Sequence, residues 1–246
     1  CNIYSSFSQR AYDQIFHDVA LQGLPVVLCL DRGGLVGEDG ATHHGCYDMS
    51  IYRSIPGAVI AVPKNEIELK DMMYSAMLSQ TGPYIIRYPR GYGEGVDWQN
   101  HKFSRMEEGK GELLLEGSKV AVICAGPFAN RAVEAASRLK EETGWNPSIY
   151  NIRYVKPVDK ALLAEVAANY DHVITVEDGT LLGGLYGAVT EYMSAQEQAP
   201  VVKGVGIPDR YISQGTQTAL REECGLTTGA LYETFYGFFE KMLKKS

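Results

Sequence analysis

The sequence alternates short, wholly apolar runs with longer stretches of helical spacing, and this alternation limits the possible folds more than any other feature. Val26–Leu30 and Ala58–Val62 contain only apolar residues, as a strand buried on both faces requires. Met72, Met73 and Ala76 recur at helical spacing in the stretch that follows. This pattern is typical of α/β domains built on parallel sheets. The remaining runs that predict strands are Tyr84–Ile86, Lys119–Cys124, Ser148–Ile152, His172–Val176 and Val201–Val205.

Two α/β domains are predicted because this rhythm breaks once. Residues 92–117 hold many glycine, glutamate and lysine residues and few long apolar side chains. We therefore expect a first domain over residues 1–95, a linker over 96–117 and a second domain over 118–246. The alternative for part of this stretch is a β-hairpin or an edge strand.

Composition and charge exclude several classes of function. The chain has 246 residues, of which 45% are hydrophobic and 22% are charged, and this balance is ordinary for a soluble globular protein. Its formal net charge of −7 weighs against nonspecific nucleic-acid binding, which needs a basic surface. No apolar run reaches the roughly 18 residues of a membrane helix, so we expect no membrane partner.

The cysteines indicate a reducing compartment. The five cysteines are scattered and never spaced as Cys-x-x-Cys, which weighs against a disulfide framework or a structural zinc site. We therefore expect a cytoplasmic protein. The first residue is Cys1, and the opening residues resemble the end of a strand. We expect the chain to be a fragment that begins inside a domain; the alternative is a processed N-terminus.

Two arginines stand at predicted strand ends and suggest an anion-binding site. Arg32 follows the strand predicted over residues 26–30, Arg90 follows the strand predicted over 84–88, and Tyr4 ends the first strand. In open parallel sheets, ligands bind beyond the carboxyl ends of the strands. Guanidinium groups suit phosphates or carboxylates because their planar fork offers paired donors. The alternative is that the arginines pair with surface acids such as Asp31 or Glu94.

A glycine-containing loop over residues 33–48 carries a candidate acid–base group. His43 lies four positions after Asp39 in this loop. Histidine titrates near neutral pH, and a nearby carboxylate orients it or raises its pKa. The alternative is a loop histidine without a chemical role. Metal binding by His43 and its neighbour His44 is weakly supported, because no further ligand stands at a usual spacing.

Three other segments resemble ligand-binding motifs without their full pattern. Glu38-Asp39-Gly40 and Glu177-Asp178-Gly179 look like acidic metal loops but lack further oxygen ligands in sequence. Ala125-Gly126-Pro127 opens a predicted helix and resembles a phosphate-binding turn. It lacks both the Gly-x-Gly-x-x-Gly spacing and the Walker spacing of phosphate-binding loops. We expect all three segments to be structural.

Five longer segments together resemble the 1-deoxy-D-xylulose-5-phosphate synthase family. They are Tyr4–Gln14, Asp31–His43, Arg87–Gly91, Arg153–Asp159 and Pro208–Thr216. The resemblance covers nearly the whole chain, and the segments are long and specific. It implies a partial pyrimidine-binding domain of transketolase type followed by a transketolase-type C-terminal domain. The family's diphosphate-binding domain and its catalytic glutamate have no counterpart in this sequence.

The resemblance also implies an activity. The family joins pyruvate to glyceraldehyde 3-phosphate and releases carbon dioxide, which yields a precursor of isoprenoids, thiamine and pyridoxal. It uses thiamine diphosphate and Mg²⁺, whose main ligands we expect outside this chain. The implied assembly is a homodimer. The second domain is expected to pack and to make dimer contacts, and the chain alone is expected to be inactive.

The family's binding residues map onto four positions of this sequence. Tyr4, Arg32 and Arg90 match contacts to the phosphate of the acceptor. Phe7 matches the ring that stacks on the aminopyrimidine of the cofactor, and stacking suits a flat heterocycle. Without the resemblance, the preferred interpretation of Phe7 is core packing.

Three further residues match positions beside the reacting atoms. Asp39 and His43 match polar groups that transfer protons to the aldehyde oxygen of the acceptor or hold its hydroxyl group. Arg10 matches a family position near the site, and its role is left open.

Two rival hypotheses remain at this stage. The first is another thiamine enzyme, either a transketolase or the β chain of a 2-oxo-acid dehydrogenase, since both share this pair of domains. The second is a non-catalytic binding or assembly module. An upstream Gly-Asp-Gly segment and a glutamate shortly before Cys1 in the complete gene would support the enzyme over the module.

Overall fold

Two five-stranded sheets form the framework of the protein. The structure is a computed structural model, and it describes residues 1–244. In chain order the strands are β1 (Asn2–Tyr4), β2 (Val27–Gly33), β3 (Val59–Ala61), β4 (Tyr84–Pro89), β5 (Glu112–Leu115), β6 (Val120–Cys124), β7 (Ser148–Asn151), β8 (Tyr154–Lys156), β9 (His172–Thr180) and β10 (Val201–Ile207).

Helices pack against both sheets. They are α1 (Ser5–Ser8), α2 (Tyr12–Gln14), α3 (Asp48–Arg53), α4 (Glu66–Leu78), α5 (Phe128–Thr143), α6 (Lys160–Asn169), α7 (Leu185–Met193), α8 (Gln217–Glu223) and α9 (Thr228–Leu243). A 3₁₀ turn (Gln9–Ala11) and a π-helical segment (Ile15–Ala20) flank α2. These segments do not form one regular α-helix, because Ala11 leaves helical geometry with φ −97° and ψ 8°.

The strand order of each sheet confirms the predicted fold class. The first sheet has the order β1-β2-β4-β3-β8, and the second has the order β10-β9-β6-β7-β5. Every pair of neighbours is parallel except β3 with β8 and β5 with β7, each at a sheet edge. Mostly parallel sheets with covering helices make this an α/β protein of two sheets.

The buried strands and capped helices follow from local sequence. Leu30 of β2 and Ile86 of β4 are fully buried, as expected for strands covered on both faces. The α4 helix begins after Asn65, whose side chain accepts a hydrogen bond of 2.9 Å from the backbone N–H of Glu68. This satisfies one of the N–H groups that a helix start leaves unpaired.

The segment between the two sheets contains an edge strand, which was the alternative for the linker. Residues 112–115 form β5, which pairs antiparallel with β7. The chain then returns once to the first sheet, where β8 pairs antiparallel with β3. The domain boundaries at residues 95 and 118 stay a proposal.

Buried charged contacts hold the two sheets together near this crossing. The Nε of Arg153 donates to Glu68 Oε1 at 2.7 Å, and Lys64 Nζ lies 3.0 Å from the same oxygen. Asn151 also donates to Glu68 at 3.0 Å. Glu68 belongs to α4, whereas Asn151 ends β7 and Arg153 follows it, so the bonds from Asn151 and Arg153 fix the relative position of the two halves. No helix within residues 1–244 is long and apolar enough to cross a membrane.

Candidate active site at the carboxyl edge of the first sheet

The order of the first sheet brings three predicted site residues to one edge. The strands β1, β2 and β4 are adjacent and parallel, so their carboxyl ends lie side by side. Tyr4 ends β1, Arg32 lies near the end of β2, and Arg90 directly follows β4. Arg32 belongs to the strand itself, because β2 continues to Gly33 through a bulge. The guanidinium carbon of Arg32 lies 4.9 Å from the centroid of the Tyr4 ring.

Both arginines have carboxylate neighbours. The alternative that these arginines pair with acidic side chains is therefore partly observed. Arg32 makes a short contact with Asp31. Arg90 donates to the carbonyl of Val36 at 2.6 Å and lies 3.4 Å from Asp39 Oδ2, so its acidic neighbour is Asp39. Each guanidinium has five N–H donors, and these contacts leave most of them available. The arginine side chains stay about half exposed, at 43% and 47%.

The phenol of Tyr4 is buried between these charges. Within residues 1–244 its hydroxyl has no hydrogen-bond partner. Burial raises the pKa of Tyr4, the carboxylate of Asp39 raises it further, and Arg32 and Arg90 act in the opposite sense. The hydroxyl is therefore protonated at neutral pH. A buried O–H without a partner carries a free-energy cost that a ligand oxygen would remove.

Three aromatic rings cluster next to this phenol. The ring centroids of Tyr4 and Phe7 are 4.8 Å apart, and those of Phe7 and His43 are 5.3 Å apart. Phe7 is 45% exposed, so the expectation of core packing for this ring is wrong. An exposed aromatic face held by two other rings is suited to stacking on a flat ligand. His43 Nδ1 hydrogen bonds with the hydroxyl of Thr42 at 2.9 Å.

A wide depression of about 1180 Å³ opens in front of these rings. Phe7, His43 and Arg10 line it from the first half of the chain. Arg210 and Tyr211 line it from the second half, which means that both halves build the site. The predicted residues that the structure gathers around the site are Tyr4, Phe7, Arg32, Asp39, His43 and Arg90, with Arg10 on its rim.

The loop that carries Asp39 and His43 closes on itself. Gly34 and Gly45 exchange two backbone hydrogen bonds of 2.8 Å, so the loop leaves and re-enters at one point. Gly34 has φ +77°, and a Cβ there would lie 1.9 Å from Asp178 Oδ2. Only glycine fits this close approach.

His44, near the end of this loop, connects the loop to the second half of the chain. Its Nδ1 accepts from the backbone N–H of Val36 at 3.1 Å. That places the proton on Nε2, which lies 3.3 Å from the carbonyl of Ser213. Burial lowers the pKa of His44, which keeps the ring neutral. His44 is therefore a structural histidine, whereas its neighbour His43 faces the depression in front of Phe7.

Two more side chains from the second half hold the loop. Asp178 Oδ1 accepts from the backbone N–H of Leu35 at 3.1 Å. Gln217 Nε2 donates to the carbonyl of Leu35 at 2.6 Å and to that of Arg90 at 3.3 Å. The expectation that the second domain only packs and makes dimer contacts therefore needs correction, because its side chains fix the loop. Sequence analysis missed these roles, since both partners are far apart in the chain.

A buried ion pair supports the site from below. Arg87 Nε donates to both carboxylate oxygens of Asp48, at 2.8 and 2.9 Å, and Ser5 Oγ donates to the same carboxylate at 2.7 Å. Burial lowers the pKa of Arg87, but the carboxylates of Asp48 and Asp178 outweigh it and raise the pKa overall. Arg87 directly follows the apolar run 84–86, and a charged residue at such a position in the sequence was a signal for a buried acidic partner. Ser5 lies at the start of α1, and Arg87 Nη2 also donates to the carbonyl of Gly45 at 3.3 Å, so the pair joins α1 to the end of the loop that carries His43.

The two acidic segments have structural contacts. Glu177 accepts from the backbone N–H groups of Leu185 and Tyr186 at 2.7 Å each, and so satisfies the start of α7. Burial raises its pKa to about 7. Asp39 pairs with Arg90 as described above. Within residues 1–244, no group of three or more histidine, cysteine, aspartate or glutamate side chains is arranged to hold a metal ion.

Comparison with known protein families accounts for both halves. Residues 1–94 match the family described as transketolase, pyrimidine binding domain, and residues 109–231 match the family described as transketolase, C-terminal domain. The chain belongs to the transketolase family. This membership accounts for the two mostly parallel sheets.

Within the transketolase family, the chain is similar to 1-deoxy-D-xylulose-5-phosphate synthases, which confirms the resemblance found in the sequence. It is 50% identical to the enzyme of Bacteroides thetaiotaomicron over 231 residues, covering 94% of this chain and 36% of that protein. It is 46% identical to the enzyme of Phocaeicola vulgatus over 238 residues, covering 97% and 38%. The chain thus spans little more than a third of the length of these relatives.

Two solved transketolase structures share the arrangement of both sheets. A structure titled as a split gene transketolase, inactive beta4 tetramer, has a TM-score of 0.80 and 28% identity. The match covers 94% of this chain and 72% of that one. A transketolase mutant from Pichia stipitis has a TM-score of 0.72 at 17% identity, covering 98% of this chain and 34% of that one, and it supports the fold alone.

Proposed function

We propose that this chain forms the acceptor-binding part of a 1-deoxy-D-xylulose-5-phosphate synthase. The complete protein would join pyruvate to glyceraldehyde 3-phosphate, release carbon dioxide and yield 1-deoxy-D-xylulose 5-phosphate. The observation that carries the proposal is the meeting of Tyr4, Arg32 and Arg90 at one sheet edge, beside Asp39 and His43. The similarity to synthases of that name over most of this chain supports the choice of substrates.

In this proposal, the phosphate of the acceptor binds to Arg32 and Arg90, which together with Tyr4 form what we call the arginine wall. Arg32 and Arg90 donate paired N–H groups to the phosphate oxygens, and the hydroxyl of Tyr4 donates a third hydrogen bond. The buried Tyr4 hydroxyl, which has no partner within the described residues, supports this role. Binding of a remote phosphate orients the reacting aldehyde, because binding energy is used for alignment.

His43 and Asp39 serve the aldehyde end of the acceptor. The new carbon–carbon bond leaves negative charge on the aldehyde oxygen, and that oxygen takes up a proton. His43 is placed to donate this proton from the loop, next to the aromatic cluster. Asp39 holds the neighbouring hydroxyl of the acceptor through its exposed carboxylate.

The aromatic cluster fits the pyrimidine of thiamine diphosphate. Phe7 presents an exposed ring face that Tyr4 and His43 support, and a flat heterocycle stacks well on such a face. When bound, the cofactor supplies the electron sink for decarboxylation of pyruvate. We propose that Mg²⁺ accompanies the diphosphate group, with its main ligands outside this chain. Arg10, on the rim, attracts the anionic substrates.

Activity requires a complementary part of the protein in this proposal. The similar split-gene transketolase is titled an inactive tetramer of its beta chain. That title supports inactivity of this chain alone, and it keeps a non-catalytic assembly module as the second candidate. We propose a homodimer as the working assembly. The five free cysteines, three of them buried, are consistent with a reducing cytoplasmic location.

Substitution of Arg90 by alanine in the complete protein tests this function. We expect the KM for glyceraldehyde 3-phosphate to rise about tenfold or more, since a charge-assisted hydrogen bond is lost. The use of unphosphorylated glyceraldehyde should change little. The matched control is Arg138→Gln, an exposed arginine on α5 that pairs with Glu142 at 2.9 Å.

The assignment of Arg90 would be wrong if acceptor kinetics stayed unchanged while turnover of pyruvate alone fell. The whole function would be wrong if the complete protein released no carbon dioxide from pyruvate with this acceptor. Activity with a ketose donor in place of pyruvate would favour a transketolase instead.

A further inference from the structure

A second cleft lies between the two halves of the chain, separate from the depression in front of Phe7. It has a volume of about 380 Å³. Its walls are the start of α4, the chain that follows β4, the start of α5 and the α8 helix. The proposed function uses neither α5 nor the face of α8 that lines this cleft.

Two arginines of this cleft each hold a buried N–H group that has no partner in the described part of the chain. Nη1 of Arg131 and Nε of Arg221 are fully buried and have no hydrogen-bond partner within residues 1–244. In that part of the chain, neither side chain has a carboxylate within ion-pair distance. Both guanidinium carbons lie near the ring of Phe128, at 4.8 and 5.9 Å from its centroid. Two guanidinium groups thus converge beside one ring.

This arrangement is unfavourable unless an anion completes it. Arginine stays charged in proteins, so neighbouring guanidinium groups repel each other when they are removed from water. Burial lowers the pKa of Arg221, and the charge of Arg131 lowers it further, while the carboxylate of Asp178 acts in the opposite sense. Both side chains are partly buried, and a buried N–H donor that lacks a partner carries a free-energy cost.

The other charges around the cleft do not neutralise the pair. Lys64 and Arg90 add two cations to the lining, and Glu66 and Glu94 add two carboxylates. The carboxylate of Glu66 already accepts from the backbone N–H groups of Glu94 and Gly95, at 3.1 and 2.8 Å. The 16-residue α5 helix points its N-terminus into the cleft without a side-chain cap, and that end also favours an anion.

We propose that this cleft binds a small organic phosphate. One phosphate group would bridge Arg131 and Arg221, with its oxygens in the paired N–H forks. The remainder of the ligand would lie against the apolar lining, which includes Phe128 and Tyr88. A phosphate fits better than a carboxylate, because its charge and its three oxygens match two guanidinium groups. The turn Ala125-Gly126-Pro127, expected to be purely structural, opens the helix at this site.

Binding of inorganic pyrophosphate to this chain tests the proposal. Isothermal titration calorimetry should show that the unsubstituted chain binds pyrophosphate saturably at one site in addition to the arginine wall. Arg131→Gln and Arg221→Gln should each weaken this binding about tenfold or more. Arg138→Gln is the matched control on the same helix, because it is exposed and already paired. It should leave the affinity unchanged.

Three further measurements make the outcome decisive. Arg32→Gln should leave cleft binding intact, which separates it from the acceptor site and from any failure of the proposed function. Both cleft variants should unfold at the same temperature as the unsubstituted chain or higher, since a repulsive charge has been removed. If a glutamine variant fails to fold, Arg221→Lys keeps the charge without the fork and should bind pyrophosphate at an intermediate affinity.

Several results would overturn the proposal. One is the absence of saturable pyrophosphate binding, and another is binding that survives both glutamine substitutions. Loss of all binding in Arg32→Gln would assign the anion to the wall instead. Binding of succinate as tight as that of pyrophosphate would show that the cleft is built for a carboxylate.

Discussion

The ion pair between Arg87 and Asp48 gives the sharpest test of how the site is held. Asp48→Asn keeps the shape of the side chain but removes its charge. The asparagine keeps a single carbonyl oxygen, so only one of the two donors, Ser5 Oγ or the backbone N–H of Met49, retains its acceptor. Arg87 loses its hydrogen-bonded counter-ion in a place where its side chain is 4% exposed. The substitution therefore leaves a buried cation with only carbonyl partners.

The expected cost follows from this burial. Removing one partner of a buried ion pair costs about 3–5 kcal/mol. Because Asp48→Asn keeps one hydrogen-bond acceptor, we expect a value near the lower end, about 3 kcal/mol. For a chain of this length, each kcal/mol lowers Tm by about 2–4 °C, so the expected decrease is roughly 6–12 °C.

Urea and thermal unfolding followed by circular dichroism would measure this cost. Glu191→Gln is the matched control, because it removes the partner of Arg53 from an ion pair in which Glu191 is 67% exposed. Exposed pairs contribute about 0–1 kcal/mol. If Asp48→Asn cost no more than Glu191→Gln, the interpretation of the Arg87 pair as a buried anchor would be refuted.

Three further predictions concern the loop over residues 33–45. His43→Ala should slow turnover of the complete protein by about 10²–10⁴ with the cofactor still bound, and loss of cofactor binding alone would contradict proton transfer by His43. Gln217→Ala should cost about 1–2 kcal/mol and speed amide hydrogen exchange in the loop, whereas unchanged exchange would show that Gln217 does not hold it. Burial raises the pKa of Asp178 from 3.8 to about 6, so its contribution to stability is present at low pH and is lost as pH rises through about 6. Asp178→Asn should reduce this loss of stability by at most about 3 kcal/mol, which the free energy of unfolding measured from pH 4 to pH 8 would show. If the pH profile of the free energy of unfolding stayed unchanged, the loss would belong to other groups.

Local sequence was sufficient to predict most of the strands, although β8 (Tyr154–Lys156) was not among them. The apolar runs became strands of two mostly parallel sheets, and Asn65, a residue type favoured at helix starts, caps α4. Tyr4, Arg32 and Arg90 met at one edge because adjacent parallel strands end on the same side. The exposure of Phe7 was not predictable, since periodicity does not distinguish a core ring from a ring that lines a depression.

The sequence by itself determined the fold class, the edge at which the site forms and the residue types available there. These properties depend on periodicity, strand ends and caps, all of which act between residues close in the chain. Only the tertiary structure decided that Asp178 and Gln217 hold the loop of the other half. It alone brought Arg131 and Arg221 to the same ring. Such contacts depend on how two sheets pack against each other, and no local pattern encodes that packing.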